Sequence, residues 1–356
     1  MEDILVHRFG RPGAHPRIYL QAGLHADEVA GTLVLDRLAR LLEAEERHGR
    51  IAGEIVVVPH CNPAGLGQFV LGRHLGRFDL RDGRNFNRGF PDIADEVIAA
   101  LDGLDKDDLT HARVVEIGRS ILDAARPANA GDRLRAHLLK LSFGADIVVD
   151  VHSDMEAILH LYSSQASWPG VKALAGRLAV PVVMLTDVSA NSPFDEANSN
   201  AWCKIQDYLR QHGAQLRPVS SCTVELRGLA DVGEALAERD ASAFHAFLID
   251  AGAIRADSPV MPADTIRPIA LEAVEMMPSP CSGVLVPLKA PGDRVRKGDV
   301  LARILDPASR GWTDIVSPVD GLVFARWHQR VIERGMSVCK IAADHAPERR
   351  AARLLD

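Results

Sequence analysis

The sequence predicts an α/β protein: a three-layer α/β/α sandwich on a mostly parallel or mixed sheet, followed by a small all-β carboxyl-terminal domain. Three observations carry this. Strand-like apolar runs alternate with helical patterns as far as residue 251. One run, Ile55-Val-Val-Val58, is apolar throughout, as a strand buried on both faces must be. Beyond residue 267 the pattern changes to short strands punctuated by Gly and Pro.

Taken in order, residues 17–22 read as a strand that Gly23 breaks. Residues 29–42 read as a helix, with Val29, Leu33, Leu35, Leu38 and Leu42 at helical spacing. Pro59 to Pro63 ends the strand 55–58. Residues 92–141 are charged and mostly helical, interrupted at 127–131. Residues 145–151, 179–185 and 220–226 read as further strands, and residues 191–199 as a polar loop containing Asp195 and Glu196. Asp231 is expected to cap a helix that runs to about Ala251. The Pro- and Asp-rich stretch 256–267 marks a boundary, giving domains at 1–258 and 268–342.

Composition bounds the function. The chain has 356 residues, of which 47% are hydrophobic, enough for two domains with a large core. The net charge of −7 argues against nucleic acid as a partner. The five cysteines are an odd number without Cys-x-x-Cys, which argues against a disulfide framework or zinc ribbon and fits a reducing cytoplasm. The amino terminus lacks the pattern of a signal peptide, and no run approaches the ~18 apolar residues of a membrane span. There is no Walker loop and no Gly-x-Gly-x-x-Gly. The expectation is a cytoplasmic protein with a small-molecule partner. The sequence leaves homo-oligomerisation open.

Three segments read together as a metal site: Gly23-Leu-His25-Ala-Asp-Glu28, Asn85-Phe-Asn87-Arg88-Gly-Phe-Pro91 and Asp150-Val-His152. His25 and Glu28 fall between a strand and a helix. His152 lies at the carboxyl end of another strand, and ligands of open α/β sheets bind at such ends. Two imidazoles and one carboxylate leave a zinc ion with an open fourth position, the arrangement of a hydrolytic site. Arg88, in an irregular segment, suits a substrate carboxylate. Arg73, Arg77, Arg81 and Arg84 make the same region basic, which reads either as a solvated face or as an electropositive mouth. The remaining histidines, His60 and His74 included, read as ordinary hydrogen-bonded side chains.

On these residues the chain resembles the succinylglutamate desuccinylase/aspartoacylase family, relatives of the zinc carboxypeptidases, through most of residues 15–250. The motifs are Gly-x-His-x-x-Glu, Asn-Arg-x-Phe-Pro, Asp-x-His and a late Glu on a strand, best matched by Glu225 in Thr223-Val-Glu-Leu-Arg-Gly228. The resemblance implies one zinc per chain on His25, Glu28 and His152. It implies Glu225 as general base and acid, and Asn87 and Arg88 on the substrate's carboxylate. Arg77 or Arg73 is a candidate to stabilise the oxyanion, and Arg73 also to bind substrate. Two positions depart from the family pattern. Ala26 stands where a Gly is usual, which demands an ordinary backbone conformation. Asn85 stands where an Asp usually orients the first metal-binding His, which implies weaker metal affinity.

The expected activity is zinc-dependent deacylation of an N-acyl amino acid or similar small carboxylate. The alternatives are a zinc carboxypeptidase for short peptides and a metal-binding protein without catalysis. Past residue 267 a repeat appears. Ser279-Pro-Cys-Ser-Gly283 matches Ser317-Pro-Val-Asp-Gly321, and Gly298 matches Gly335. The repeat resembles the biotinyl/lipoyl barrel-sandwich fold. The linker at 306–314 has no Lys to modify, so a cover over the active-site mouth is the expected role.

Overall fold

The computed structural model describes residues 4–186, 193–256 and 266–345. In chain order, β1 (His7–Gly10) and β2 (Arg17–Ala22) lead to α1 (Ala30–Arg47) and β3 (Glu54–Val58). The single turn α2 (Pro63–Leu66) and the hairpin of β4 (Phe69–Val70) and β5 (Arg73–His74) follow. Three helices, α3 (Ala94–Leu101), α4 (His111–Ala124) and α5 (Ala130–Ser142), precede β6 (Ile147–Asp154), β7 (Glu156–Ala157) and β8 (His160–Ser163). Next come α6 (Trp168–Arg177), β9 (Val182–Leu185), α7 (Phe194–Gln211), β10 (Ser220–Gly228) and α8 (Glu234–Asp250). The last segment holds β11 (Ile269–Ala270), β12 (Val274–Pro278), β13 (Gly283–Pro287), β14 (Arg294–Val295) and β15 (Val300–Leu305). It ends with β16 (Trp312–Val316), β17 (Gly321–Arg326), β18 (Val331–Ile332) and β19 (Ser337–Ala343).

The centre is an eight-stranded mixed sheet in the order β1-β3-β2-β6-β10-β8-β9-β11. Strands β3, β2, β6 and β10 run parallel; β1 is antiparallel to β3, and β8 is antiparallel to β10 but parallel to β9. Every residue of β2 and β3 is buried, because helices cover both faces. Helices α1, α6 and α8 pack on one face through Val34, Leu38, Leu174, Phe244 and Phe247. Helices α3, α4, α5 and α7 pack on the other through Val97, Ile117, Leu138 and Trp202. Each such side chain contributes roughly 1.5–3 kcal/mol by burial. No described helix is long and apolar enough to cross a membrane.

Four local readings change. Residues 194–199 are not loop: α7 begins at Phe194, although residues 187–192 lie outside the described chain. Asn, Ser and Pro disguised a helix start whose first turn carries Asp195 and Glu196, the charges a helix amino terminus favours. Asp231 is not a cap. Gly233 is the residue before α8, and the Asp231 carboxylate closes a turn by accepting from the Gly228 N–H at 2.9 Å. Strand β6 continues to Asp154, so His152 lies within the strand. Strand β9 begins only at Val182, after Ala179 takes a φ of 52°.

The expected boundary at 256–267 lies mostly outside the described residues. Beyond it, β11 still belongs to the central sheet, paired with β9. Strands β12, β19, β17 and β14 form an antiparallel sheet that β7 joins, and β16, β15, β13 and β18 form another. The two share one core around Leu285, Ile304, Val323 and Ile341. The sequence repeat is visible in the backbone. The N–H of Gly298 donates to the Ser317 carbonyl at 2.7 Å, and that of Gly335 to the Ser279 carbonyl at 2.8 Å. Both glycines have φ near +90°, which few other residues tolerate. β7, Asp154 and Ile158 anchor this segment just past the end of β6. The Lys340 ammonium donates to Asp154 at 2.6 Å, and the Ile158 N–H to the Phe324 carbonyl at 2.9 Å.

Candidate functional site

At the carboxyl end of β2 the chain turns sharply, with Gly23 at φ +70° against the His60 ring. The Glu28 N–H donates to the His25 carbonyl at 3.1 Å, which puts both side chains on one side of the turn. His152 arrives from β6, adjacent in the sheet. His25, Glu28 and His152 offer ligand atoms that all lie within 4.8 Å of one another, and all three are buried. Glu28 is shared: one carboxylate oxygen is 2.8 Å from His25 Nδ1 and the other 2.7 Å from His152 Nδ1. The Ser153 N–H also donates to it at 3.1 Å. Burial alone would raise the Glu28 carboxyl; the two imidazoles hold it well below its usual range instead.

The far nitrogen of each ring is also fixed. His25 Nε2 lies 2.8 Å from Asn85 Oδ1, and His152 Nε2 lies 2.8 Å from Asp150 Oδ2. Asp150 is held by Gln21 at 3.0 Å, and Gln21 by the Tyr19 hydroxyl at 2.9 Å. Asn85 therefore makes the bond expected of it, without charge. Ala26 takes an ordinary backbone conformation; it is not among the residues with positive φ. Both rings have an oxygen acceptor at each nitrogen. Each ring must carry two protons, or its Nδ1 lone pair must meet a cation. Two Nδ1 atoms and a carboxylate, braced by Asn85 and Asp150, are a donor set that fits a divalent cation such as zinc.

Arg77 reaches the same cluster. Its Nη1 donates to Glu28 at 3.0 Å and lies 3.2 Å from His25 Nδ1. Gly76 makes this approach possible, because a Cβ there would stand 2.2 Å from the Asp27 nitrogen. Arg73 lies four residues before Arg77, exposed on β5, and no bond joins it to the cluster among the described residues. His60 and His74 stand apart: His60 contacts Thr32 and the Asn62 carbonyl, and His74 the Gly65 carbonyl.

Glu225 lies directly across the sheet from His152 in β6 and from His160 in β8. Its Oε2 is buried and has no hydrogen-bond partner among the described residues. Burial, then the negative charges of Glu28 and Asp154, push its carboxyl up to about 8. Lys340, from β19, bonds Asp154 beside it. Sequence reasoning missed Lys340 because its partner is 186 positions away. It also gave Asp150 no role beyond its motif.

Arg88 is half-buried and donates from Nη1 to the Asn87 carbonyl at 2.7 Å. Burial, then the nearby Arg77, lower its pKa, while Asp195 and Glu196 act the other way. Asn87 Oδ1 accepts from the Phe194 N–H at 2.8 Å, so this side chain ties the segment to the start of α7. Asp195 and Glu196 are not solvated loop charges. Asp195 is buried, with its carboxyl pushed up to about 6 by burial and then by Asp150. Glu196 is half-buried and raised to about 8 by burial and then by Asp195.

This makes a prediction about pH. The folded state holds the Glu196 proton more tightly than the unfolded chain, whose value is near the ordinary 4.5. Ionising it costs stability, so its contribution falls as pH rises from 4.5 toward 8. Glu196→Gln should therefore gain in Tm over wild type through that window, with little gain at about pH 5 and a constant gain above about pH 8. Melting curves across this range check it; an equal gain at all pH values would assign the effect to packing.

The chain is similar to known proteins over most of its length. Residues 14–129 match the family model for the succinylglutamate desuccinylase/aspartoacylase catalytic domain. The chain is 25% identical over 336 residues to the N-alpha-acetyl-L-2,4-diaminobutyric acid deacetylase of Halomonas elongata, spanning 93% of this chain and 83% of that protein. A succinylglutamate desuccinylase/aspartoacylase family protein from Shewanella amazonensis superposes with a TM-score of 0.80 at 28% identity, covering 95% of this chain and 93% of that one. One from Shewanella frigidimarina gives 0.82 at 25% identity, covering 95% and 92%. The product-bound ectoine utilization protein of Ruegeria pomeroyi, at 19% identity, 0.67, and coverage of 95% and 88%, shares the fold. Residues 14–129 thus carry the catalytic-domain pattern of the succinylglutamate desuccinylase/aspartoacylase family, and the chain over most of its length is similar to proteins of that family.

Proposed function

We propose that this protein is a zinc-dependent amidohydrolase that removes the acyl group from an N-acyl amino acid or a similar small carboxylate. The observation that carries this is the buried cluster of His25, Glu28 and His152 with the unpartnered Glu225 beside it. The relative from Halomonas elongata, a deacetylase, supports hydrolysis of a small N-acyl amino acid. His25, Glu28 and His152 would hold one zinc ion per chain. The bound ion would polarise the amide carbonyl and lower the pKa of a water. Glu225, buried beside the cluster, takes the water proton and returns it to the leaving amine. Arg77, partly exposed while bonded to Glu28, is the nearest guanidinium to a developing oxyanion. Arg88, with Asn87 fixing its segment, grips the substrate carboxylate, and Arg73 stands further out.

We further propose that the carboxyl-terminal unit, residues 268–342, is a barrel-sandwich domain that narrows the mouth above a catalytic domain of residues 1–258. Its bonds to Asp154 and Glu156 at the catalytic end of β6 support this. A narrow mouth favours single N-acyl amino acids over peptides, which ranks deacylase above carboxypeptidase.

The test is Arg88→Lys, which keeps the charge but loses the planar fork. It should raise KM for N-acyl amino acids with a free carboxylate by about tenfold, a charge-assisted bond's worth. Amide-capped analogues should be poor substrates of wild type and change little further. An equal loss on both substrates, measured by amine release, would mean that Arg88 supports structure and not the carboxylate.

A further inference from the structure

The ends of the parallel strands opposite the metal cluster open into a cleft of about 1190 Å³. Arg17 and Glu54 are the first residues of β2 and β3, so the cleft lies a strand's length from His152 and Glu225, at roughly 3.3 Å per residue. Arg8, Arg119, Lys140 and Arg217 also line it. Its floor is rigid. Arg17 is 5% exposed and donates to the carbonyls of Leu141 (2.6 Å), Phe143 (3.3 Å) and Ser142 (3.4 Å).

The acids nearby are already engaged. Glu54 lies 3.2 Å from Arg17 and 3.5 Å from Arg8, and accepts from the Gly13 N–H at 2.9 Å. Glu116 pairs with Arg113, Asp123 with Lys140, and Asp146 with His15. Two guanidinium groups remain. Among the described residues Arg119 makes one long bond, to the Phe143 carbonyl at 3.4 Å, and its buried Nε has no partner. Its guanidinium shares the field of Glu54 with Arg8 and Arg17, so three cations face one carboxylate. Neither Arg119 nor Arg217 lies within ion-pair distance of a carboxylate among the described residues. Buried Arg17 and half-buried Arg119, with exposed Arg8 beside them, share one counter-charge; such like charges are costly unless another anion joins them, and guanidinium groups bind carboxylate and phosphate with paired bonds.

We infer that this cleft binds a small polyvalent anion, a molecule with two or more carboxylate or phosphate groups, at a site distinct from the metal cluster. The inference does not depend on the proposed activity. Calorimetric titration of the full-length protein with citrate and with pyrophosphate, each at fixed ionic strength against a chloride reference, tests it. Saturable one-to-one binding of either is the expected result; citrate alone would point to a polycarboxylate and pyrophosphate alone to a phosphorylated ligand. Arg119→Gln and Arg217→Gln should each weaken that binding by at least about tenfold. Arg303→Gln, on β15, should leave it unchanged. Arg217 is exposed, so its variant keeps the test open if the Arg119 variant misfolds. Heats no larger than those of chloride, or binding that survives both substitutions, would overturn the inference.

Discussion

Glu225→Gln should lower kcat by at least about 100-fold while leaving bound metal and fold intact, the usual worth of a general base. The amide has the carboxylate's shape but cannot take a proton from water. Glu225 Oε2 is buried and unpartnered, so no hydrogen bond is lost at that atom. Burial and the charges of Glu28 and Asp154 favour a neutral group at this position, so a neutral amide should leave Tm unchanged or raise it. Steady-state amine release, with circular dichroism and elemental analysis on the same preparation, checks all three. A variant with near-normal kcat would assign the proton transfer to another residue.

His152→Ala should abolish both metal binding and turnover. It removes one of the three proposed ligands, and it strips Asp150 and Glu28 of a shared, buried partner. Breaking a buried charged network in this way costs on the order of 3–5 kcal/mol, so the variant should also melt earlier. Elemental analysis beside a melting curve reads both effects. Zinc bound equally by wild type and variant would remove His152 from the ligand set.

The parts of this protein that local pattern controls were readable in its sequence. β2 is bounded as expected, and Gly23 breaks it where the positive φ requires. The grouping of His25, Glu28 and His152 was legible because His25 and Glu28 share one turn, and because strand ends converge in a parallel sheet. The start of α7 was not legible, since Asn, Ser and Pro resemble loop composition until Phe194, Ala197, Ala201 and Trp202 are seen buried on one face. The burial of Asp195 and Glu196 follows from that packing and from no local signal. Helix and strand limits drifted because tertiary pairing extends β6 to Asp154 and α1 to Arg47. Long-range contacts were out of reach. The pairing of β7 with β17 and the Lys340–Asp154 ion pair join positions more than 160 residues apart, and nothing periodic announces them.

Amine release from a panel of N-acyl amino acids, followed through chelation and reconstitution with zinc, tests the central claim most directly. The account predicts release by the zinc-loaded protein, none after chelation, and recovery at one equivalent of zinc per chain. Release that survives complete removal of metal, or no release from any member of the panel by zinc-loaded protein, would contradict it.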